Sequence, residues 1–274
     1  MALRQADFDY IKDLIQKRAA IVLDDNKHYF VESRLMPVVE EQKLETIEQL
    51  IGKLRTSGGA VLAQRVTEAI TIHETSFFRD LHPFKALREQ ILPDIMQRRA
   101  NQKTLSMWCG ACSSGQEPYT IAMILREQFP ELRDWNLRFV ATDISNKILD
   151  KARNGVYTQL EINRGLPAPM LLKYFDKHGL EWQMKAEIRS SIEFRQLNLI
   201  ERWPPMPKMD IIFLRNVLIY FDVPTKREIL KRIRELMQPD GFLFLGAAEM
   251  PMSVDNAYER VDVARAGCYR IRGT

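Results

Sequence analysis

An all-helical segment followed by an α/β domain on a parallel sheet is the architecture this sequence predicts, and three observations predict it. Up to residue 72 the apolar residues recur at helical spacing. From residue 104 onward, short apolar runs alternate with amphipathic stretches, the pattern of a doubly wound sheet with helices on both faces. One tract, about 173–191, has short alternating runs broken at His178-Gly179 and reads as a small antiparallel β insertion.

The elements follow in order. "FDYIKDLIQKRAAI" sets Phe8, Ile11, Leu14 and Ile15 on one helical face. "DDNKHYFVESRLMPVVEEQ" is a second helix, with Asp24 or Asp25 as its N-cap. "TIEQLIGKLRTSGGAVLAQRVTEAITIHE" holds two more, parted by Thr56-Ser57-Gly58-Gly59. Helices containing Pro83 and Pro93 lead on to Arg99. Strands are expected at 104–108, 137–144, 191–199, from 209, and in "FLFLGA" and "AGCYRIR". Gly155 stops the helix after the second strand, and Pro239-Asp240-Gly241 ends the helix of "PTKREILKRIRELMQ". The expected domains are 1–85 (all-helical), 86–103 (a linker helix) and 104–274 (the sheet domain with its insertion).

Composition narrows the function classes. With 274 residues, 46% of them apolar, the chain can bury a sizeable core. It has no apolar run of membrane-span length, and the N-terminal pattern carries acids rather than a signal-peptide core, so a cytoplasmic protein without membrane insertion is expected. Three cysteines do not make a disulfide framework. Residues 1–72 carry 10 basic and 11 acidic side chains, and residues 73–274 carry 30 and 25. The larger part therefore favours anionic partners, but it lacks the Lys/Arg stripes of a nucleic-acid surface.

The chemistry centres on "WCGACSSGQEPY", residues 108–119. Cys109 and Cys112 form a C-x-x-C, yet a zinc site needs four ligands and no second such pair exists. A redox pair needs its first Cys at a helix N-terminus. Here the helix is expected near Ser114, with Ser114 and Glu117 as a capping box, so the cysteines read as small fillers. Gly110 and Gly115 fit a cofactor loop after a strand, though the spacing is neither G-x-G-x-x-G nor a P-loop. Asp143 stands at the end of the next strand, where a carboxylate accepts both hydroxyls of a ribose; its other use there is as a helix N-cap. Loop and acid together imply an adenosine-containing cofactor without a pyrophosphate, and S-adenosyl-L-methionine answers that description.

"HETSFFRD" (73–80), "CSSGQEPYTIAM", "ATDIS", "LNL", "LRNVLIYFD" (214–222) and "PDGFLFLGAAE" occur in an order and spacing that resemble the chemotaxis receptor methyltransferases, the CheR family. The resemblance implies a Rossmann-like class I S-adenosylmethionine-dependent methyltransferase domain behind an all-α domain. It implies methyl transfer to glutamate side chains of chemoreceptors, with S-adenosyl-L-homocysteine as product. By position, His73, Thr75, Arg79, Gly110, Glu117, Asp143, Asn198, Leu199, Arg215 and Asn216 would hold the cofactor. Thr75 and Arg79 would meet its methionine part, Glu117 its ammonium, Asp143 its ribose, and Asn198 with Leu199 its adenine. Arg79, Arg215 and Tyr220 would serve methyl transfer. Lys27 and Arg34 would dock the substrate, and no metal is implied.

The implied partners are the cytoplasmic domain of chemoreceptors and regulatory proteins, without nucleic acid. His73 stands where the family often has Asn. The insertion is shorter than in members that grip a tethering peptide at the receptor's C-terminus, so action without that tether is expected. Two other readings share the cofactor domain: a nucleic-acid methyltransferase and a non-catalytic S-adenosylmethionine-binding module. The first usually carries an N/D-P-P-Y/F loop after the fourth strand, where this chain has "LRNVLIYF".

Overall fold

The computed structural model describes residues 3–56 and 59–273. Contacts divide the chain into two compact units, one of residues up to Ile72 with Tyr220–Thr225, the other of His73–Ile219 with the chain from Lys226 onward.

The first unit contains α1 (Gln5–Ala19), α2 (His28–Glu41), α3 (Ile47–Leu54) and α4 (Ala60–Ile70). Phe8, Ile11 and Ile15 of α1 are fully buried, as their spacing predicts, and pack with Val31, Leu35, Leu50, Ile51 and Val66. Asp25 does not cap α2: it pairs with Lys12 at 2.6 Å, and Thr46 is the side-chain cap of α3. Of the predicted breaker, Ser57 and Gly58 lie outside the described residues. Residues 220–225 join this unit by pairing, with Ile21 bridged to Phe221 and the Val22 N–H donating to the Tyr220 carbonyl at 3.0 Å.

The second unit begins earlier than expected. Residues 73–85, read from sequence as part of the helical domain, bury Phe77 and Phe84 in the sheet unit's core, where Phe84 stacks on Phe213. α5 (His82–Ala86) continues through a π-turn at Leu87–Ile91 into α6 (Leu92–Arg98). The wide turn precedes Pro93, whose ring has no N–H for an α-helical bond.

The sheet strands are β1 (Thr104–Gly110), β2 (Asn136–Asp143), β6 (Glu193–Gln196), β7 (Met209–Leu214), β8 (Met237–Leu245), β9 (Tyr258–Arg260) and β10 (Gly267–Ile271). Their spatial order is β6-β2-β1-β7-β8-β10-β9. The first five are parallel, and β10 runs antiparallel to β8 and β9. Residues 261–266 between β9 and β10 are too few for a parallel crossover, so the sheet is mixed rather than wholly parallel. Pro239-Asp240-Gly241 does not stop the helix: α12 (Val223–Leu236) ends earlier, and the tripeptide sits in an irregularity of β8 where pairing jumps from Met237 to Phe242.

α7 (Gln116–Gln128) and α8 (Asn146–Asn154) connect the parallel strands. Gly155 caps α8 in the left-handed conformation (φ 61°), as read from sequence.

The insertion is larger than its sequence signal. β4 (Phe175–His178) and β5 (Glu181–Met184) form the hairpin around Gly179, but β5 also pairs with β3 (Val156–Thr158). α9 (Gln159–Asn163) and α10 (Ala168–Tyr174) lie between β3 and β4, and α11 (Ala186–Arg189) follows β5.

Among the described residues no helix is long and apolar enough to cross a membrane.

Candidate functional site

The strand order reverses about β1, whose neighbours are β2 and β7, and ligands of such sheets bind beyond the strands' carboxyl ends at that point. Five parallel strands end at this edge, at Gly110, Asp143, Gln196, Leu214 and Leu245, and the loops that follow them build the candidate site.

The loop after β1 is tightly wound. Ala111 and Ser113 have φ of 52° and 51°, and Gly115 has 91°. Gly110 is closely packed: a Cβ there would lie 2.7 Å from the Leu214 side chain and push it aside. α7 starts at Gln116 with Gly115 as its cap residue and no side-chain capping bond. The predicted Ser114–Glu117 capping box is therefore absent. Ser114 bonds the Gln116 side chain at 2.8 Å, and Glu117 is drawn elsewhere.

Glu117 lies between two donors: the Cys109 thiol reaches Oε1 at 3.3 Å, and the Arg215 Nη1 binds Oε2. Arg215 follows β7, and its side chain is 1% exposed. Its Nη2 donates to Asp80 Oδ2 at 2.6 Å and to the Arg79 carbonyl at 3.2 Å. Cys109 and Cys112 are both buried and unpaired, as the reading of them as fillers expects. Burial pushes both thiols well up, with the charge of Glu117 adding at Cys109 and that of Asp143 at Cys112.

Asp143 is 5% exposed. Its Oδ2 accepts the Ser113 N–H at 2.9 Å and its Oδ1 the Ser145 N–H at 3.1 Å. It is not the cap of α8; Ser145 is, through the Ile148 N–H. The alternative use of this acid is thus taken by its neighbour. Burial raises the Asp143 carboxyl above its ordinary range, against the pull of His73 and the backbone amides. His73 Nδ1 lies 3.8 Å from Asp143 Oδ1, and the His73 carbonyl accepts the Ser113 hydroxyl at 2.7 Å.

The segment 73–81 runs along this edge. Phe78, Asp80 and Leu81 have φ of 52°, 68° and 46°, a run of left-handed conformations that non-glycine residues hold at a cost. It is fastened by the Phe78 N–H on Thr120 Oγ1 (3.2 Å) and by Arg215 on Asp80. Arg79 Nη1 donates to the Glu74 carbonyl at 2.8 Å, and Thr75 is half-buried nearby in the chain. Glu74 itself pairs with Arg164, which holds its carboxyl below the ordinary range, with Arg79 contributing.

Asn198 and Leu199 follow β6, beside the end of β2. Asn198 bonds within its own loop, to the Glu201 side chain and the Ile200 N–H, and Leu199 is buried. Asn216 has φ of 59°, and its Oδ1 is buried without a partner, as is Arg215 Nε. The sequence reading passed over Asp80 and Glu249. Both lie inside its quoted motifs, but their bonds reach across 135 and 33 residues, beyond any local pattern.

Within the sheet unit the structure brings His73 to Asp143, and Arg79 and Glu117 to Arg215, with Asn216 next to Arg215 in the chain. Tyr220 is grouped with the helical unit. Lys27 is exposed at the end of the turn Asp25–Lys27, and Arg34 is exposed on α2 with its guanidinium 5.4 Å from the centre of the Phe30 ring.

These residues fit S-adenosylmethionine. Two carboxylates, Glu117 in the first turn of α7 and Asp143 at the end of β2, suit an ammonium and a ribose, and the buried Asn216 Oδ1 is an acceptor with no donor of its own. No group of three or more His, Cys, Asp or Glu is arranged for a metal among the described residues.

Comparison with known proteins agrees over the whole chain. Residues 6–71 match the model of the CheR methyltransferase all-alpha domain, and residues 73–266 that of the CheR methyltransferase SAM binding domain. Chemotaxis protein methyltransferase 1 of Pseudomonas aeruginosa is 38% identical over 99% of this chain and 100% of its own length. Chemotaxis protein methyltransferase Cher2 of Pseudomonas putida is 36% identical with the same coverage. Chemotaxis protein methyltransferase 1 of Vibrio cholerae is 35% identical over 94% of each chain. Both domains are matched, and relatives are similar over nearly the full length: the chain belongs to the CheR family of S-adenosylmethionine-dependent methyltransferases.

Proposed function

We propose that this chain methylates glutamate γ-carboxylates on the cytoplasmic helical domain of chemoreceptors, as part of chemotactic adaptation, without needing a C-terminal receptor tether. The observation that carries the reading is the buried Arg215 guanidinium, joined to Glu117 and Asp80 at the strand edge that also holds Asp143. When bound, S-adenosylmethionine supplies a methyl carbon that passes to a carboxylate oxygen while the carbon–sulfur electron pair stays on sulfur, leaving the methyl ester and S-adenosylhomocysteine. A glutamate with a pKa of about 4.3 is already ionised at neutral pH, so no residue of the chain has to act as a general base.

The chain's own residues then bind, orient and exclude water. Asp143 and Glu117 hold the cofactor's hydroxyls and ammonium. Asn198 and Leu199 border its adenine, and His73 and Thr75 flank it. Arg79 orients the attacking carboxylate, whose planar form a guanidinium matches, while Arg215, already bonded to Glu117 and Asp80, fixes those two acids. Tyr220 either hydrogen-bonds the substrate oxygen or walls the methyl path. Alignment of this kind supplies roughly 7–11 kcal/mol in favourable cases. Lys27 and Arg34 dock the acidic receptor helices, and the hairpin around Gly179 takes no tether peptide.

The test is transfer of label from methyl-labelled S-adenosylmethionine to receptor membranes, with RNA as a parallel substrate. Base-labile label mapped to receptor glutamates, lost in a folded Arg79→Ala variant and unaffected by trimming the receptor's last residues, is the expected result. Label on RNA alone, or uptake of cofactor with no transfer, would overturn it.

A further inference from the structure

Glu249 lies beyond the end of β8, next to the end of β7, and is 4% exposed. Its carboxylate accepts four backbone N–H groups from two loops. Oε2 takes those of Asn216 (2.8 Å) and Gly246 (2.7 Å), and Oε1 those of Val217 (2.9 Å) and Ile219 (3.3 Å). Leu214 and Leu245 are the last paired residues of β7 and β8, so the carboxylate continues the fastening of these two chains past the point where the ladder stops. Its own backbone is fixed in turn, by its N–H on the Gly246 carbonyl and by the Tyr269 hydroxyl on its carbonyl.

This clamp determines where Asn216 stands. Asn216 is left-handed, and its Nδ2 packs against Gly246, where a Cβ would come within 2.7 Å of Nδ2 and 2.8 Å of Glu249 Oε2. Only a glycine leaves room for both. The other end of the Asn216 amide, Oδ1, is buried and has no protein partner. A buried acceptor without a donor is rare in folded proteins and marks a place where a bound molecule supplies one.

We infer that Glu249 is a positioning residue for cofactor binding: it locks residues 216–219 so that Asn216 Oδ1 is preset to accept an N–H or O–H of the bound S-adenosyl compound. The inference rests on the proposed function and assigns a task to a residue whose two carboxylate oxygens are both engaged by backbone N–H groups. A carboxylate is suited to it because both oxygens accept, whereas a glutamine would turn an NH2 toward two of the four donors.

Glu249→Gln tests this in the full chain, with S-adenosylhomocysteine as the probe. Calorimetry is expected to show affinity falling by about tenfold or more, since one well-made polar contact is worth about that factor. Asn216→Ala is expected to weaken binding in the wild type and to add no further loss in the Glu249→Gln background. Hydrogen exchange should speed up at the amides of Asn216, Val217, Ile219 and Gly246, and stay unchanged at Ile212 and Phe244 inside the strands. Gly246→Ala perturbs the same clamp without altering Glu249 and should weaken the probe in the same way. Wild-type affinity in either variant, fully additive losses with Asn216→Ala, or exchange accelerated equally across the sheet would overturn the inference while leaving the methyltransferase reading in place. A wild-type chain that takes up no S-adenosylhomocysteine would overturn both.

Discussion

Replacing Arg215 by methionine isolates the charge cluster at the strand edge. The Arg215 side chain is 1% exposed and neutralises Glu117, 12% exposed, and Asp80, 44% exposed. Without it, Asp80 stays hydrated and loses little, about 1 kcal/mol at most for so exposed a partner. Glu117 is left as a largely buried carboxylate beside the Cys109 thiol. Stranding a buried charge costs about 3–5 kcal/mol, so Arg215→Met is expected to lose about that much from the sheet unit. Glu117→Gln removes the charge that needs compensation. The double variant should therefore be more stable than Arg215→Met alone, with a coupling of about 1–3 kcal/mol. Tryptophan fluorescence during urea unfolding reads this cleanly, because Trp108, Trp135, Trp182 and Trp203 all belong to the sheet unit. Losses that simply add, within about 0.5 kcal/mol, would refute the argument, since contacting residues on independent footing are what additivity means.

Asp143→Asn keeps the shape but leaves one acceptor oxygen for the Ser113 and Ser145 amides and removes the charge from a ribose; the dissociation constant for S-adenosylhomocysteine is expected to rise about 10- to 100-fold by calorimetry, and unchanged affinity would remove Asp143 from the site. Hydrogen bonding to Arg99 holds Asp240 below the usual carboxylate range. Its contribution is then fully present above its unfolded pKa of about 3.9 and is lost as pH falls through the lower folded value, so melts of wild type and Asp240→Asn should differ at pH 7 and the gap should shrink on acidification below that unfolded value; a gap independent of pH would contradict this. Cys109, Cys112 and Cys268 are buried, with thiols pushed up (Cys268 to about 12), so a thiol-reactive dye should label none of them in the native chain and all three in urea; rapid native labelling would reject the filler assignment.

What was legible in the sequence was what local pattern encodes. The runs "TLSMW" and "LRFVATDI" are apolar because β1 and β2 are buried strands, and the bends at Gly115 and Gly155 show where left-handed backbone is needed. The place of Asp143 at the end of β2 was legible from the apolar run before it. The insertion was half visible: the β4–β5 hairpin has a local turn, but β3 pairs with β5 across some two dozen intervening residues and is three residues long. The capping box at Ser114 failed because Arg215, 98 positions from Glu117, outcompetes a local amide for the carboxylate. The domain boundary failed because Phe77 and Phe84 find their partners in Phe175 and Phe213, far down the chain. The charge cluster and the Glu249 clamp are products of loops meeting at one edge, and sequence adjacency carries no trace of such meetings.

The Ile21–Phe221 bridge has a consequence for synthesis. The four-helix unit is drawn from two separated stretches, and its last strand-like piece emerges about 150 residues after its helices, roughly 8–30 s later at ordinary translation rates. During that interval Ile21 and Val22 wait for backbone partners, Tyr220 and Phe221, that have yet to be synthesised. A fragment ending at Ile72 would keep them waiting indefinitely, so trimming this chain to its first unit would yield an edge ready to pair with a stranger.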